Sequence, residues 1–205
     1  MKMSFRFLIT CLAISIRIDT SAQIDSVQVN KGIYFTFESL SANKPDVLLS
    51  WLTPTTINDL STTENTLRLN CVNYLSYYDE NENILKVPAS KILLMADGVD
   101  LFISHEISLK HCFEKLLTFG RLSRFFTRKD REGQLNYYGY SPPTVKVKEF
   151  VVDLSTGKIY NMNSERGKVR SIIKEDPRFA DEKISSDNID YYINQFNKLN
   201  PIISN

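Results

Sequence analysis

The chain has 205 residues, with 25 Lys and Arg against 24 Asp and Glu, which gives a formal net charge of +1 at pH 7. A balance this close to neutrality excludes the strong overall attraction to nucleic acid or to anionic membranes that a basic protein has. With only seven Gly, seven Pro and no low-complexity tract, the composition also argues against a disordered chain.

The N-terminus has the pattern of a Sec-type signal peptide. Lys2 and Arg6 precede an apolar run over residues 7–16, and the small residues at 20–22 stand directly before Gln23. A positive region, an apolar region and a small-residue cleavage site in this order are typical of secretory signals. We therefore predict that residues 1–22 are removed, so that a periplasmic or extracellular protein begins at Gln23.

Two other interpretations of the leader remain open. The apolar run of about ten residues is short for a helix that spans the ~30 Å hydrocarbon core, which argues against a permanent anchor. Cys11 gives the run a weak likeness to a lipoprotein cleavage site, but Thr10 fits poorly before a lipid-bearing cysteine.

Residues 23–205 are long enough for one domain that buries roughly 70% of its unfolded surface. The leader contains three cations and one anion, so the mature chain has 22 cations, 23 anions and a net charge of −1. Its apolar stretches are too short to span a bilayer. We predict a single exported domain without a transmembrane segment and without nucleic acid as a partner.

Residues 31–162 are predicted to be rich in strands. The clearest signal is a hairpin over residues 91–103, because Asp97 and Gly98 form the kind of pair that a tight turn demands. The other predicted strand segments are residues 32–37, where Thr36 caps a following helical turn, then 47–52, 66–72 and a second hairpin at 144–162 around Gly157. The segment 113–126 fits either a helix or two strands separated by a glycine.

The spacing of apolar residues along the chain becomes that of a helix over residues 163–201. Ser164 and Asp187 are predicted to cap two helices, and Asp176 with Pro177 opens a short turn between them. The apolar positions expected to face the sheet are Val169, Ile172 and Ile173 in the first helix and Ile189, Ile193 and Phe196 in the second. Strands followed by helices predict an α+β fold, a mainly antiparallel sheet with C-terminal helices packed on one face.

The chain carries several stretches that resemble a group of exported proteins. Residues 32–38 have the form Gly-x-Tyr-x-Thr-Phe-Glu, residues 152–160 form a Thr-Gly hairpin, and an Asp-Pro pair follows at 176–177. With a leader that ends in Ala-Gln, the chain resembles a loose group of uncharacterised secreted proteins of Bacteroidota. The resemblance implies a bacterial source and an exported location, and it implies no activity.

Two cysteines, Cys71 and Cys112, remain once the leader is removed. Because an exported chain reaches an oxidising compartment, we predict a disulfide between them that closes a loop of ~40 residues. Two free buried cysteines remain the alternative, since Cys71 shares a predicted strand face with Leu67 and Leu69.

No catalytic, cofactor or metal motif is apparent in the sequence. The chain has two histidines, His105 and His111, which would lie about 240° apart on a helix or ~20 Å apart on a strand and so could not share a metal ion. His105 has the parity of Leu101 and Ile103, which predicts a place near the core. No nucleophile elbow and no phosphate-binding glycine loop is present.

Asp97, Asp100 and Glu106 are candidates for the carboxylate pair of a glycoside hydrolase, because they lie close together in the sequence. Asp97 is already explained by its turn. The acidic segment 79–83 lacks the glycine and the closing glutamate of an EF-hand loop, which argues against calcium binding.

The most charged segment, residues 121–131, contains five cations and two phenylalanines. It is followed by an aromatic loop at 137–143 that is bounded by proline, and exposed aromatic side chains often contact partners. The candidate interaction surface consists of Arg121, Arg124, Arg128, Tyr137, Tyr138 and Tyr140. The alternative is a hairpin end with buried phenylalanines and solvated arginines.

The sequence as a whole favours an exported, non-enzymatic domain that binds or scaffolds an envelope component. A small hydrolase acting on envelope carbohydrate through the carboxylates of residues 97–106 is one alternative. A carrier that holds a small apolar ligand inside a curved sheet is another, because the chain has 10 Tyr and 12 Phe.

Overall fold

The computed structural model describes residues 29–60, 68–107, 110–131, 134–136, 139–141 and 144–203. The predicted leader, residues 1–22, lies outside the described residues together with Cys11 and the predicted cleavage site at Gln23. Tyr137 and Tyr138 of the candidate interaction surface lie outside them as well.

Strands come first and the longer helices last, which confirms the predicted α+β fold. The strands in the described ranges are β1 Gly32–Tyr34, β2 Arg68–Val72, β3 Tyr74–Tyr78, β4 Ile84–Pro88, β5 Leu94–Ala96, β6 Leu101–Ile107, β7 Lys110–Thr118, β8 Leu122–Arg131, β9 Gln134–Asn136, β10 Gly139–Ser141, β11 Thr144–Asp153 and β12 Lys158–Asn161. The helices there are α1 Phe37–Ser41, α2 Pro54–Asp59, α3 Arg166–Glu175 and α4 Ile189–Leu199, with 3₁₀ turns at Leu49–Trp51, Ala89–Lys91 and Pro177–Phe179.

The main sheet is antiparallel and curled, and its strands follow the order β1–β5–β6–β7–β8–β11–β12. The sheet divides at β7, because the first part of this strand pairs with β2 and its end pairs with β8. Two hairpins, β3–β4 and β9–β10, form separate two-stranded sheets. The division at β7 separates the edge strand β2 from the long β8–β11 pair.

Alternation along the strands sorts the apolar residues onto two faces. On the first face, Tyr34 of β1 and Val152 of β11 belong to one buried cluster although four strands separate them, because the sheet curls. The opposite face is covered over β1, β5, β6 and β7 by the β3–β4 hairpin, through Leu75. Over β8 and β11 it is covered by α3 and α4, where Val151 packs in one cluster with Ile193. The C-terminal helices therefore pack on one face, as predicted.

Two strand predictions needed correction or resolution. Residues 113–126 form the end of β7 and the start of β8, so this segment consists of two strands and not of a helix. Residues 47–52 are not a regular strand, because Val47 makes only an isolated bridge to Ile33 before the 3₁₀ turn begins.

The predicted cap of α1 is confirmed, whereas the observed caps of α3 and α4 lie one residue away from the predicted ones. Thr36 caps α1, and its hydroxyl accepts a hydrogen bond from Ser39 N at 3.2 Å. The predicted caps of the last two helices, Ser164 and Asp187, are wrong. Glu165 and Asn188 precede α3 and α4 instead, and neither side chain makes a capping hydrogen bond.

Candidate functional site

The described residues form an open groove of about 510 Å³ where the end of α2 meets the turn from β2 to β3. A volume of this size lies within the range of small-molecule sites. The groove is lined by Asn58, Asp59, Cys71, Val72, Asn73 and Tyr74.

The position of α2 at this groove depends on hydrogen bonds between two threonines and β3. Thr53 begins the helix, and its hydroxyl accepts a hydrogen bond from Thr56 N at 3.3 Å. The Thr56 hydroxyl oxygen accepts a hydrogen bond from Ser76 N at 2.8 Å, and Thr53 N donates to Ser76 O at 3.0 Å. The helix is thus fixed to the strand at one residue, and its last turn stands beside the β2–β3 connection.

Cys71 and Cys112 are joined by a disulfide bond beside the groove. Their Cα atoms lie 3.9 Å apart because the two residues face each other on neighbouring antiparallel strands. The register of β2 against β7 shifts between Leu69 and Val72, so two residues of β2 oppose Cys112 in a β-bulge. Cys112 is fully buried, whereas Cys71 is partly exposed and borders the groove. The bond holds the end of β2 against β7.

Three polar side chains of the groove, Asn58, Asp59 and Asn73, are exposed and make no hydrogen bond to another residue in the described part of the chain. Asp79 in the β3–β4 turn differs, because it accepts a hydrogen bond from the backbone N–H of Asn83 at 2.8 Å. The amides and the carboxylate therefore line the groove without a hydrogen-bond partner among the described residues.

Tyr74 supplies the aromatic surface of the groove. Its side chain is 60% exposed, and alternation along β3 places the 37% exposed Tyr78 on the same side of the hairpin. Leu75, which points to the other side, is fully buried in the core. An exposed aromatic surface therefore continues from the groove along the hairpin.

Two arginines of the candidate interaction surface are engaged within the protein. The Arg121 guanidinium lies 5.5 Å from the centre of the Phe196 ring and forms an ion pair with Asp153 at 3.4 Å. Arg124 donates from Nε to Glu149 Oε1 at 2.8 Å and is 18% exposed. These contacts join both side chains to β11 and join Arg121 to α4 as well.

The rest of that surface is only partly described. Arg128 lies on β8 opposite Val147, and Tyr140 lies on β10 opposite Leu135. The interaction surface around these residues stays a prediction.

The two histidines lie on opposite faces of the sheet, since His105 pairs with Cys112 and His111 pairs with Glu106. His105 packs against two rings, those of Phe125 at 5.5 Å and Phe150 at 5.1 Å between centroids. Its pKa is lowered, first because burial disfavours the charged imidazolium and second because of the charge of His111. The histidines are therefore not placed to share a metal ion.

His111 has a serine neighbour, which raises the question of a catalytic pair. Its Nδ1 lies 3.1 Å from Ser104 Oγ. The Ser104 hydroxyl donates its one proton to Ala89 O at 2.9 Å, so it is a donor to the backbone and not to the imidazole. The hydrogen bond from Ser104 to Ala89 joins β6 to the 3₁₀ turn.

The three candidate carboxylates do not converge. Asp97 accepts hydrogen bonds from the backbone of its own turn, and Asp100 forms an ion pair with Lys115 at 2.7 Å. Glu106 lies at the far end of β6, roughly 20 Å from Asp100 along the strand. A glycosidase pair requires about 5–9 Å.

Two features of the structure were missed in the sequence. Glu114 is 1% exposed in β7, opposite Arg68 of β2 in the strand register. The alternating pattern around residue 113 could have indicated that this carboxylate is buried. The groove had no such signal, because residues 58–59 and 73–74 meet only when α2 packs on β3.

In the described part of the chain, no group of three or more His, Cys, Asp or Glu residues is placed to hold a metal ion. No helix there is long and apolar enough to cross a membrane. The chain matches no protein-family model, no curated protein and no solved structure.

Proposed function

We propose that the chain is an exported binding protein of the cell envelope, with no catalytic role, and that it holds its ligand in the groove beside the disulfide. The observation that carries the proposal is the set of exposed polar side chains, Asn58, Asp59 and Asn73, next to the exposed ring of Tyr74. A site held in place by a disulfide and by the α2–β3 hydrogen bonds loses little freedom on binding. A disulfide also suits the oxidising compartment to which the predicted leader would direct the chain.

The two alternatives have less support. For the hydrolase, Asp97 and Asp100 are already engaged and Glu106 lies far along the strand. For the carrier, the first face of the curled sheet is filled by fully buried side chains such as those of Tyr34 and Phe125.

Binding is tested by co-sedimentation of the purified protein with cell-wall sacculi and with membrane vesicles from the native host. We expect saturable binding to one of these fractions, a marked loss of binding in Tyr74→Ala, and no release of soluble fragments. Tyr191→Ala is the matched control, because Tyr191 is 59% exposed on the distant helix α4. Release of sugar or peptide fragments by the protein would instead establish a hydrolase.

Export is tested by mass spectrometry of the protein produced in its native host. We expect a mature N-terminus at Gln23 and no lipid. A species that retains residues 1–22, or one that carries lipid on Cys11, would contradict the predicted processing.

A further inference from the structure

The groove continues into one exposed face of the β3–β4 hairpin, and we refer to the groove and this face together as the hairpin surface. The residues of the face are Tyr74, Ser76 and Tyr78 of β3 with Ile84, Lys86 and Pro88 opposite them on β4. The Cα atoms of Tyr74 and Tyr78 are four strand residues, or about 13 Å, apart. Ile84 beside Tyr78 is 59% exposed, so the face is apolar at its far end and polar at the groove.

The side chains of the hairpin surface match the two kinds of surface that a sugar ring presents. Asn58 and Asn73 each offer both donors and an acceptor, and Asp59 offers acceptors, which suits hydroxyl groups that donate and accept. The C–H face of a sugar ring is an apolar surface that packs on an aromatic ring such as that of Tyr74. An apolar ligand would bury the same amides without partners, at a cost in binding free energy.

The charges of the hairpin surface argue against an anionic ligand. Asp59 is the one charged residue among the described residues that line the groove, and Lys86 on the face carries the opposite charge. Asp79, Glu80 and Glu82 in the β3–β4 turn add negative charge at the end of the hairpin. Polymers that carry phosphate or carboxylate groups would be repelled there.

We propose that the hairpin surface binds a neutral glycan chain. Tyr74 and Tyr78 stack on separate sugar rings of the chain, and their separation of about 13 Å requires an oligosaccharide and not a single sugar. The side chains of Asn58, Asp59 and Asn73 hydrogen-bond to hydroxyl groups of the ring that enters the groove. This inference rests on the proposed binding role and names its ligand.

A peptide is the competing class of ligand at this place. An extended peptide could add to the outer edge of β4, which pairs with β3 on its other side. Such a peptide would bind through backbone hydrogen bonds and would leave the groove amides unused. The groove therefore favours the glycan.

The inference is tested by affinity electrophoresis of the purified protein in native gels that contain a neutral β-glucan, mannan or xylan, with polygalacturonate as the anionic comparison. We expect retardation by at least one neutral polysaccharide and none by polygalacturonate. Tyr74→Ala should raise the dissociation constant obtained from the retardation about tenfold. Tyr74→Phe keeps the ring, and its dissociation constant should stay within about threefold of the wild-type value. Tyr191→Ala should behave as the wild type.

Retardation by none of the neutral polysaccharides, by polygalacturonate alone, or equally in Tyr74→Ala would overturn the inference. Binding of an extended Val-Thr peptide in place of the polysaccharides would assign the surface to strand addition. Tyr78→Ala provides a second variant, and the melting temperature of each variant shows whether it is folded. If sedimentation with the envelope depends on Tyr74 while no neutral glycan binds, the proposed binding role is supported and the glycan is wrong as its ligand. If the protein binds neither envelope fractions nor neutral glycans, the binding role and the glycan are both wrong.

Discussion

Asn197 illustrates how a single polar side chain can complete a sheet. Its Oδ1 accepts a hydrogen bond from Leu122 N at 2.9 Å, and its Nδ2 donates to Leu122 O at 2.8 Å. The amide thus satisfies a buried backbone unit at the start of β8, as a neighbouring strand would. It also fills the space beside Gly120, where a side chain would collide with it.

Replacement of Asn197 by alanine should lower the free energy of unfolding by about 2–4 kcal/mol, because two buried backbone groups of Leu122 lose their partners. Denaturant unfolding measures the loss, and Lys198→Ala, an exposed neighbour on α4, should change it by less than about 0.5 kcal/mol. A loss below about 1 kcal/mol for Asn197→Ala would mean that water replaces the amide.

His105 should make the stability of the protein depend on pH. Because burial lowers its pKa below 6.5, the unfolded chain binds more protons than the folded chain when the pH falls through and below 6.5. The free energy of unfolding should therefore decrease from pH 7.5 to pH 5.

His105→Phe keeps a ring next to Phe125 and Phe150 but cannot titrate, so its stability should fall less over the same pH range. All other titratable groups are common to both proteins, and the difference between the two profiles isolates His105. Parallel profiles would show that this imidazole does not contribute to the pH dependence.

Helix α4 shows that an apolar stripe can be identified from sequence even where the cap is not. Ile189, Ile193 and Phe196 are all buried against the sheet, as their spacing predicts. Leu199, the last residue of the helix, is 46% exposed.

Phe196→Ala should cost roughly 3–5 kcal/mol of unfolding free energy, since the ring is 1% exposed and packs beside Phe179 and beneath Arg121. The matched change on the outer side of the same helix, Tyr191→Ala, should cost little because that ring is 59% exposed. Chemical denaturation of both variants makes the comparison. A cost below about 1 kcal/mol for Phe196→Ala would mean that α4 contributes little to the core.

The disulfide acts on the molecule as a whole, because it joins residues 41 positions apart on β2 and β7. Reduction of the wild type should lower the free energy of unfolding by about 4 kcal/mol in the chain-entropy model, since the unfolded chain regains the freedom of that loop. Unfolding of Cys71→Ala, which cannot form the bridge, should be the same with and without reductant. Equal unfolding midpoints for oxidised and reduced wild type would contradict this role.

Features that arise within a few residues could be predicted from the sequence: the turn at Gly98, whose φ of 96° favours glycine, the cap at Thr36, and the apolar stripes of the strands and of α4. These turns, caps and stripes depend on residues that are near neighbours in the chain, so residue type and spacing are enough to predict them. Other features appear only in the folded protein: the division of the sheet at β7, the amide of Asn197 on Leu122, and the groove between α2 and β3. Each of these joins residues far apart in the chain, and the packing that brings them together leaves no periodic trace in the sequence.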